Sequence, residues 1–382
     1  MPSLSPHIAS VPPSGIRRIY ELASQLDGVI SLGIGEPDLP VAEHILSVGA
    51  QGWIDDFTDY TANAGITPLR EAIKAKLARE NSMHVDVEQV WVTVGATQAL
   101  HQAMALLLGA GDEILIPDPG YTTFSMSPRL LGAVPVPYPL RPEHDFAPNI
   151  EELERLITDR TRVLLVNSPS NPLGTVLAEE QLRELLLFAR RHDLWVLSDE
   201  VYEYFTYGIR HTSIASLDSD DRVFSAFSLS KTYAITGARV GYLVTPPGLA
   251  PTMRTVQETT ISCVNAPAQL AAIAAIVGDH QHVADAREHY RSNLATACEL
   301  LDARGIGYLR PDGAFYLWVN VSHVSDGDVA GWAERFLLKE RVAVAPGSAF
   351  GRMGEGWIRI CVAAQPADLI EGLRRLPAPS SQ

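Results

Sequence analysis

The chain has 382 residues, 46% of them hydrophobic and 20% charged, with a formal net charge of -15. That length and apolar share suit a globular protein with room for two domains, while the negative balance argues against nucleic-acid or anionic-membrane partners, since the sequence sets no basic patch aside. Cys263, Cys298 and Cys361 lie far apart with no CxxC pair, so neither a disulfide framework nor a zinc site is expected, and a reducing cytosol is the natural setting.

Residues 1–15 are rich in Pro and Ser and read as an arm. They contain no apolar signal core, and no later segment offers about 18 uninterrupted apolar residues, so a cytoplasmic protein without membrane contact is expected. Residues 16–26, IRRIYELASQL, have helical apolar spacing, and VISLGIGEPDLP after them is a loop in which Gly33 and Gly35 allow close backbone approach. Residues 55–65 are polar and turn-rich. Thr67 as N-cap, with Pro68 at the first helical position, opens a helix over LREAIKAKLARE.

From residue 90 a rhythm sets in. The runs VWVTV (90–94), EILIP (113–117), VPVPY (134–138), VLLVN (163–167), LWVLS (194–198), VFSAF (223–227) and VGYLV (240–244) read as buried strands, with helices between several of them at Thr97–Leu108 and Ala178–His192. Continuous apolar runs joined by helices predict an α/β fold, a mostly parallel seven-stranded sheet with helices on both faces. Beyond Gln269 long helices, Gln281–Arg304 and Asp328–Arg341, interleave with the short runs IGYLR, AFYLWVNV, VAVAP and WIRICVA. This predicts a smaller α+β domain at 276–382, joined by the arm and first helix at 1–40, with 41–275 as the large domain. PAPSSQ is a tail.

Chemistry concentrates in Ser228–Gly241, SLSKTYAITGARVG. Lys231 follows an apolar run, with a hydroxyl three residues before it, another immediately before it, and Arg239 further on. A lysine amine forms a Schiff base with an aldehyde, and Ser and Arg suit a phosphate, so the combination suggests pyridoxal phosphate. In open α/β sheets ligands bind beyond the carboxyl ends of the strands, and five strand ends carry matching residues. Gly95, Ala96 and Thr97 open a helix and form a phosphate cup. Tyr121 is suited to stack on a ring face. Asn171 and Tyr202 could hydrogen-bond the ring's phenolic oxygen. Asp199 is suited to pair with a protonated pyridine nitrogen, which makes the ring an electron sink. Ser228, Thr97 and Arg239 would hold the phosphate. Lys231 would anchor the cofactor and then move a proton between the substrate α-carbon and the aldehyde carbon. Singly, such residues commonly serve turns, packing or surface ion pairs; their joint order and strand-end placement is what carries weight. The eleven histidines show no metal-ligand spacing.

The lysine stretch resembles the signature of the class I/II aminotransferases, with Gly237, Arg239 and Gly241 completing a Gly-x-Arg-x-Gly ending. With PPSGIRR, GEPD, YTxxxGxxxLR and NPxG, the resemblance extends over nearly the whole chain to the fold-type I, aspartate-aminotransferase-like group. It implies that Arg359 grips the substrate α-carboxylate, that Gly35 and Asn171 also face that group, and that Tyr60 reaches the phosphate of a neighbouring subunit in a homodimer with active sites at the interface. Ile16, and residues around Val264 and Asn265 of a partner subunit, are candidates for the side-chain pocket. Two departures stand out: Ala238 occupies a position where this branch commonly has Trp, and Thr97 one where some aspartate-specific members carry Lys, so simple dicarboxylate specificity is not implied.

Transamination of an L-α-amino acid and a 2-oxo acid by a ping-pong mechanism is thus the leading expectation. A β/γ-elimination lyase or a cyclase on the same cofactor, and a non-catalytic effector domain, are the rivals. The first would release ammonia without an acceptor, and the second would normally carry a DNA-binding module before Ile16.

Overall fold

The computed structural model describes residues 5–379. Apart from short helical turns such as Pro6–Ala9, Ile150–Glu154 and Leu229–Thr232, its elements in chain order begin with α1 (Gly15–Ala23), β1 (Ile30–Ser31), α2 (Glu43–Ile54), α3 (Thr67–Glu80), β2 (Val90–Thr93), α4 (Ala96–Leu107), β3 (Glu113–Asp118), α5 (Thr123–Leu130), β4 (Val134–Pro139), β5 (Thr161–Asn167), α6 (Glu179–Arg191), β6 (Trp195–Asp199), β7 (Val223–Ser228) and β8 (Gly241–Val244). They continue with α7 (Ala250–Thr260), α8 (Ala266–Val277), α9 (Gln281–Ala303), β9 (Tyr308–Leu309), β10 (Tyr316–Asn320), α10 (Val329–Glu340), β11 (Val342–Ala343), β12 (Ala345–Pro346), β13 (Trp357–Cys361) and α11 (Pro366–Arg374).

Seven strands form one sheet in the order β2-β8-β7-β6-β5-β3-β4. β8 runs antiparallel to both neighbours, and the β7-β6-β5-β3-β4 pairings are parallel. Every residue of β2, β3, β7 and β8 is buried, which is why the strands read as unbroken apolar runs. Strand side chains alternate between faces. Leu164, Val166 and Val196 therefore pack with Leu182, Leu185 and Leu186 of α6, and Val163, Leu165, Leu197 and Phe224 pack with Leu100, Ala103 and Met104 of α4 on the other side. A second, four-stranded antiparallel sheet, β12-β13-β10-β9, packs under α9 and α10. Ile19 of α1 and Leu32 belong to that second core.

All seven expected sheet strands are present, and the differences lie elsewhere. Thr67 sits inside α3; Ile66 occupies the N-cap and gives no side-chain cap bond. VAVAP divides into β11, parallel to β1, and β12, on the four-stranded sheet. β1 was not evident because two residues are too few for a pattern. Helix α2 was missed because EHILSVGAQGWI carries two glycines and no capping side chain. The glycines serve close packing on α8: a Cβ at Gly49 would lie 3.2 Å from Ala271, and one at Gly52 3.1 Å from Leu270. Residues 1–4 and 380–382 of the expected arm and tail lie outside the described residues.

Candidate active site

β2, β3, β5, β6 and β7 point the same way, so the loops leaving their carboxyl ends share one rim. A cleft of about 270 Å³ opens there. Of the residues anticipated from the sequence, Ile16, Gly35, Ala96, Thr97, Tyr121, Asn171, Asp199, Tyr202, Ser228, Lys231, Arg239 and Arg359 line it. Gly95 lies behind Arg239. Tyr60 does not enter this cleft; its side chain is 92% exposed.

Two cations define one wall. Lys231 donates from Nζ to the Gly35 carbonyl at 2.6 Å, and enclosure by the protein lowers its pKa to about 8, Arg359 and Arg239 adding to the shift while Cys361 and Glu36 oppose it. Arg359, 3% exposed on β13, donates from Nη1 to Asn171 Oδ1 at 2.8 Å and from Nη2 to the Gly33 carbonyl at 2.7 Å. The Tyr316 ring lies 4.3 Å from its guanidinium carbon and Phe350 4.9 Å. Its Nε is buried without a partner.

The acid opposite is Asp199, buried at the end of β6. Its carboxylate accepts one bond, from Val201 N–H at 3.3 Å, and burial, with a smaller push from Glu200, raises its pKa to about 7. Asn167 braces the backbone beneath it, Nδ2 donating to the Asp199 carbonyl at 3.1 Å. Among the described residues no cation is paired with Asp199.

A third group of side chains forms an anion cradle. Gly95 is the N-cap of α4 with φ 76, and a Cβ there would come within 2.7 Å of Arg239 Nη2, so only glycine leaves that guanidinium its place. Arg239 itself has φ 55 and donates from Nη1 to the Thr236 carbonyl at 2.8 Å. The first N–H groups of α4 lack intrahelical acceptors, Ser228 Oγ accepts from Ser230 N–H at 3.1 Å, and the Ser230 hydroxyl is buried without a partner.

Sequence reasoning missed Tyr316, whose hydroxyl meets that of Tyr202 at 2.6 Å. Burial raises the pKa of both phenols, holding them protonated. Within an apolar strand run nothing distinguished Tyr316 from a packing residue. Ser230 was visible as the hydroxyl before Lys231 but was given no role, and Thr236, Ile34, Leu100 and Val201 also line the cleft.

Pyridoxal phosphate, the group expected from the sequence, fits these residues. An unpaired buried acid awaits a cationic ring nitrogen, and an unpartnered hydroxyl, a helix N-terminus and an arginine await a phosphate. Among the described residues no cluster of His, Cys, Asp or Glu could hold a metal ion, and no helix is long and apolar enough to cross a membrane.

Residues 27–376 match the family model described as aminotransferase class I and II. The chain is 36% identical over 379 residues to an aromatic-amino-acid aminotransferase 2 of Thermococcus litoralis, a match covering 98% of this chain and 97% of that one. It is likewise 36% identical over 379 residues, with the same coverage, to an aspartate aminotransferase of Pyrococcus abyssi. The solved structure of Thermus thermophilus aspartate aminotransferase with maleate superposes with a TM-score of 0.93 at 34% identity, covering 98% of this chain and 99% of that one. Sequence, fold and cleft thus lead to one conclusion: the chain belongs to the class I and II aminotransferases and is a fold-type I, pyridoxal-phosphate-dependent aminotransferase.

Proposed function

We propose that the cleft at the strand ends takes the amino group from an L-α-amino acid and passes it to a 2-oxo acid in two half-reactions. The observation that carries this reading is an amine and an acid displaced from their ordinary pKa values in opposite directions within one cleft, beside a buried arginine. Pyridoxal phosphate, when bound, supplies an aldehyde for an amine and a cationic ring that draws off the electron pair left at the substrate α-carbon. Every other task falls to the protein. Lys231, with its pKa lowered, offers a free amine near neutral pH and would take up and return the proton at the substrate α-carbon. Asp199 would hold the cationic ring nitrogen by an ion pair. Gly95, Ala96, Thr97, Ser228, Ser230 and Arg239 would hold the phosphate, Tyr121 would cover the ring, and Asn171 and Tyr202, the latter tied to Tyr316, would hydrogen-bond its hydroxyl. Arg359, with Asn171 and the Gly35 backbone, binds the α-carboxylate, and Ile16 borders the space left for the side chain.

We further propose a homodimer. Leu46, Trp53 and Ile54 of α2 are exposed, Trp53 at 60%, and a groove of about 580 Å³ runs from Leu46 and Trp53 past Val264 and Asn265 to Arg239. A second copy covering that surface would shield apolar area and give Tyr60 a phosphate to meet. The large unit at 41–275 and the small one at 276–382, with 1–40 attached, would close on the cleft between them. The three cysteines are free, which supports a reducing, cytoplasmic setting.

The substrate class is tested by adding single L-amino acids (Asp, Glu, Phe, Tyr, Ala) to cofactor-loaded protein with no oxo acid present. Loss of the yellow colour with one equivalent of the matching oxo acid is expected. Continuous ammonia release would instead favour the lyase reading.

A further inference from the structure

The loop Gly33–Asp38 supplies the carbonyls that receive both cleft cations: Gly35 takes Lys231 and Gly33 takes Arg359. A two-glycine loop does not hold such a setting by itself, and its anchors come from separate parts of the molecule. The Leu32 carbonyl accepts from Cys361 N–H at 2.8 Å, next to Arg359 on β13. Glu36 Oε1 accepts from the Thr236 hydroxyl at 2.6 Å, near Lys231. The far end is held from outside the cleft by α9: His289 Nε2 lies 3.0 Å from Asp38 Oδ2. The other oxygen of Asp38 is buried without a partner. Among the described residues His289 is therefore the one side chain holding this carboxylate.

One turn along the same helix face, Asn293 donates from Nδ2 to the carbonyls of Val362 at 2.8 Å and Ala364 at 2.9 Å, just beyond β13. It is 4% exposed and lies 3.4 Å from His289. One face of α9 thus fixes both the end of the carbonyl loop and the strand that carries Arg359, although neither His289 nor Asn293 lines the cleft.

We propose that His289 is a positioning residue for substrate carboxylate binding, holding Asp38 so that the Gly33–Asp38 loop keeps Arg359 in register. The inference rests on the functional reading above only for its substrate. A carbonyl loop released at Asp38 would let Gly33 and Gly35 drift by a fraction of an ångström, enough to misplace a two-point carboxylate grip. The loss would fall on binding rather than on proton transfer, since Lys231 is set by the short helix Leu229–Thr232 that follows β7, whereas the Gly33 carbonyl is one of the two acceptors that fix Arg359.

The test compares His289→Ala and His289→Gln with the wild type as cofactor-loaded protein, using maleate and 3-phenylpropionate as unreactive carboxylates whose Kd is read from the visible spectrum. His289→Ala should raise Kd and the amino-acid KM about tenfold while kcat stays within about twofold. His289→Gln, whose amide N–H can reach Asp38, should restore most of the loss, which a merely structural role would not. Hydrogen exchange in the cofactor-free protein supplies a readout independent of catalysis: the amides of 33–36 and Asp38 should exchange faster in the Ala variant than in the Gln variant. A folded Ala variant with wild-type Kd and unchanged exchange at 33–38 overturns the proposal, as does an equal loss in Ala and Gln. If the wild type itself binds neither carboxylate nor any amino acid, the functional reading fails, and the exchange comparison still decides the clamp.

Discussion

Two lysines of this chain, Lys76 buried and Lys231 half-buried in the cleft, are held in opposite ways. Lys76 on α3 is 3% exposed; its Nζ meets Glu203 at 2.5 Å and Asn81 at 2.8 Å, and the Tyr204 and Phe227 rings lie within 5.3 Å and 5.0 Å. Lys231 has a single backbone carbonyl as acceptor and arginines among its charged neighbours. Burying an ammonium with a carboxylate and a carbonyl keeps the charge and fixes the packing. Enclosing one without a counter-ion makes the neutral amine accessible near neutral pH, and a neutral amine is a nucleophile. The same contrast separates Asp199, which lacks a cation, from Glu200 beside it. Glu200 accepts bonds from Ser198, His211 and Ser213, and these hold its pKa below the ordinary value despite burial. Incomplete pairing in the cleft marks the groups that an incoming molecule completes.

Substitutions can break this contrast in order of effect. Lys231→Ala should lower turnover by at least about a thousandfold while cofactor remains bound without a covalent link, as gel filtration followed by phosphate analysis would report; retained turnover would refute the assignment. Asp199→Ala should cost roughly two to four orders of magnitude in kcat with the fold intact. In the cofactor-free protein the sign of the pH effect follows from the raised pKa. The folded state holds a proton on Asp199 that the unfolded chain has released, so the stability this gives is present below the ordinary carboxylate pKa and lost as pH rises through about 7. Asp199→Asn should therefore melt higher than wild type at pH 8, with the difference shrinking toward pH 4, a trend readable by calorimetry.

Arg359→Ala should raise KM about a hundredfold for every α-amino acid. An effect confined to acidic substrates would mean that it reads side chains instead. Lys76→Met completes the series from the other side. It should leave kcat/KM of the folded enzyme within about twofold yet destabilise the protein by about 3–5 kcal/mol, because Glu203 loses its buried partner; a large catalytic loss without a change in Tm would undo the comparison.

Much of the site was legible because backbone geometry puts chemistry where strands end. Lys231 and Asp199 each follow a run of buried residues that announces its strand, and Gly95–Thr97 stands where a strand hands over to a helix. Long-range pairing was not legible. Nothing in LREAIKAKLARE marks Lys76 as buried, since its partner Glu203 lies 127 residues away. The Tyr202–Tyr316 hydroxyl pair spans 114 residues. Arg359 sits on an edge-to-core strand run that reads the same with or without a functional arginine, and only the resemblance gave it a role. Helix α2 escaped because its glycines, which lower helical propensity, are there for close contact with α8. Tyr60 is exposed and does not line the cleft, so the role that the resemblance gives it rests on the proposed dimer.

The chain has four lysines, Lys74, Lys76, Lys231 and Lys339, which makes the central claim directly measurable. Protein loaded with pyridoxal phosphate is reduced with borohydride, digested and mapped by mass spectrometry. The account predicts one phosphopyridoxyl adduct, on Lys231, with Lys76 unmodified in the folded protein. An adduct spread over the four lysines, or absent from Lys231, would contradict it.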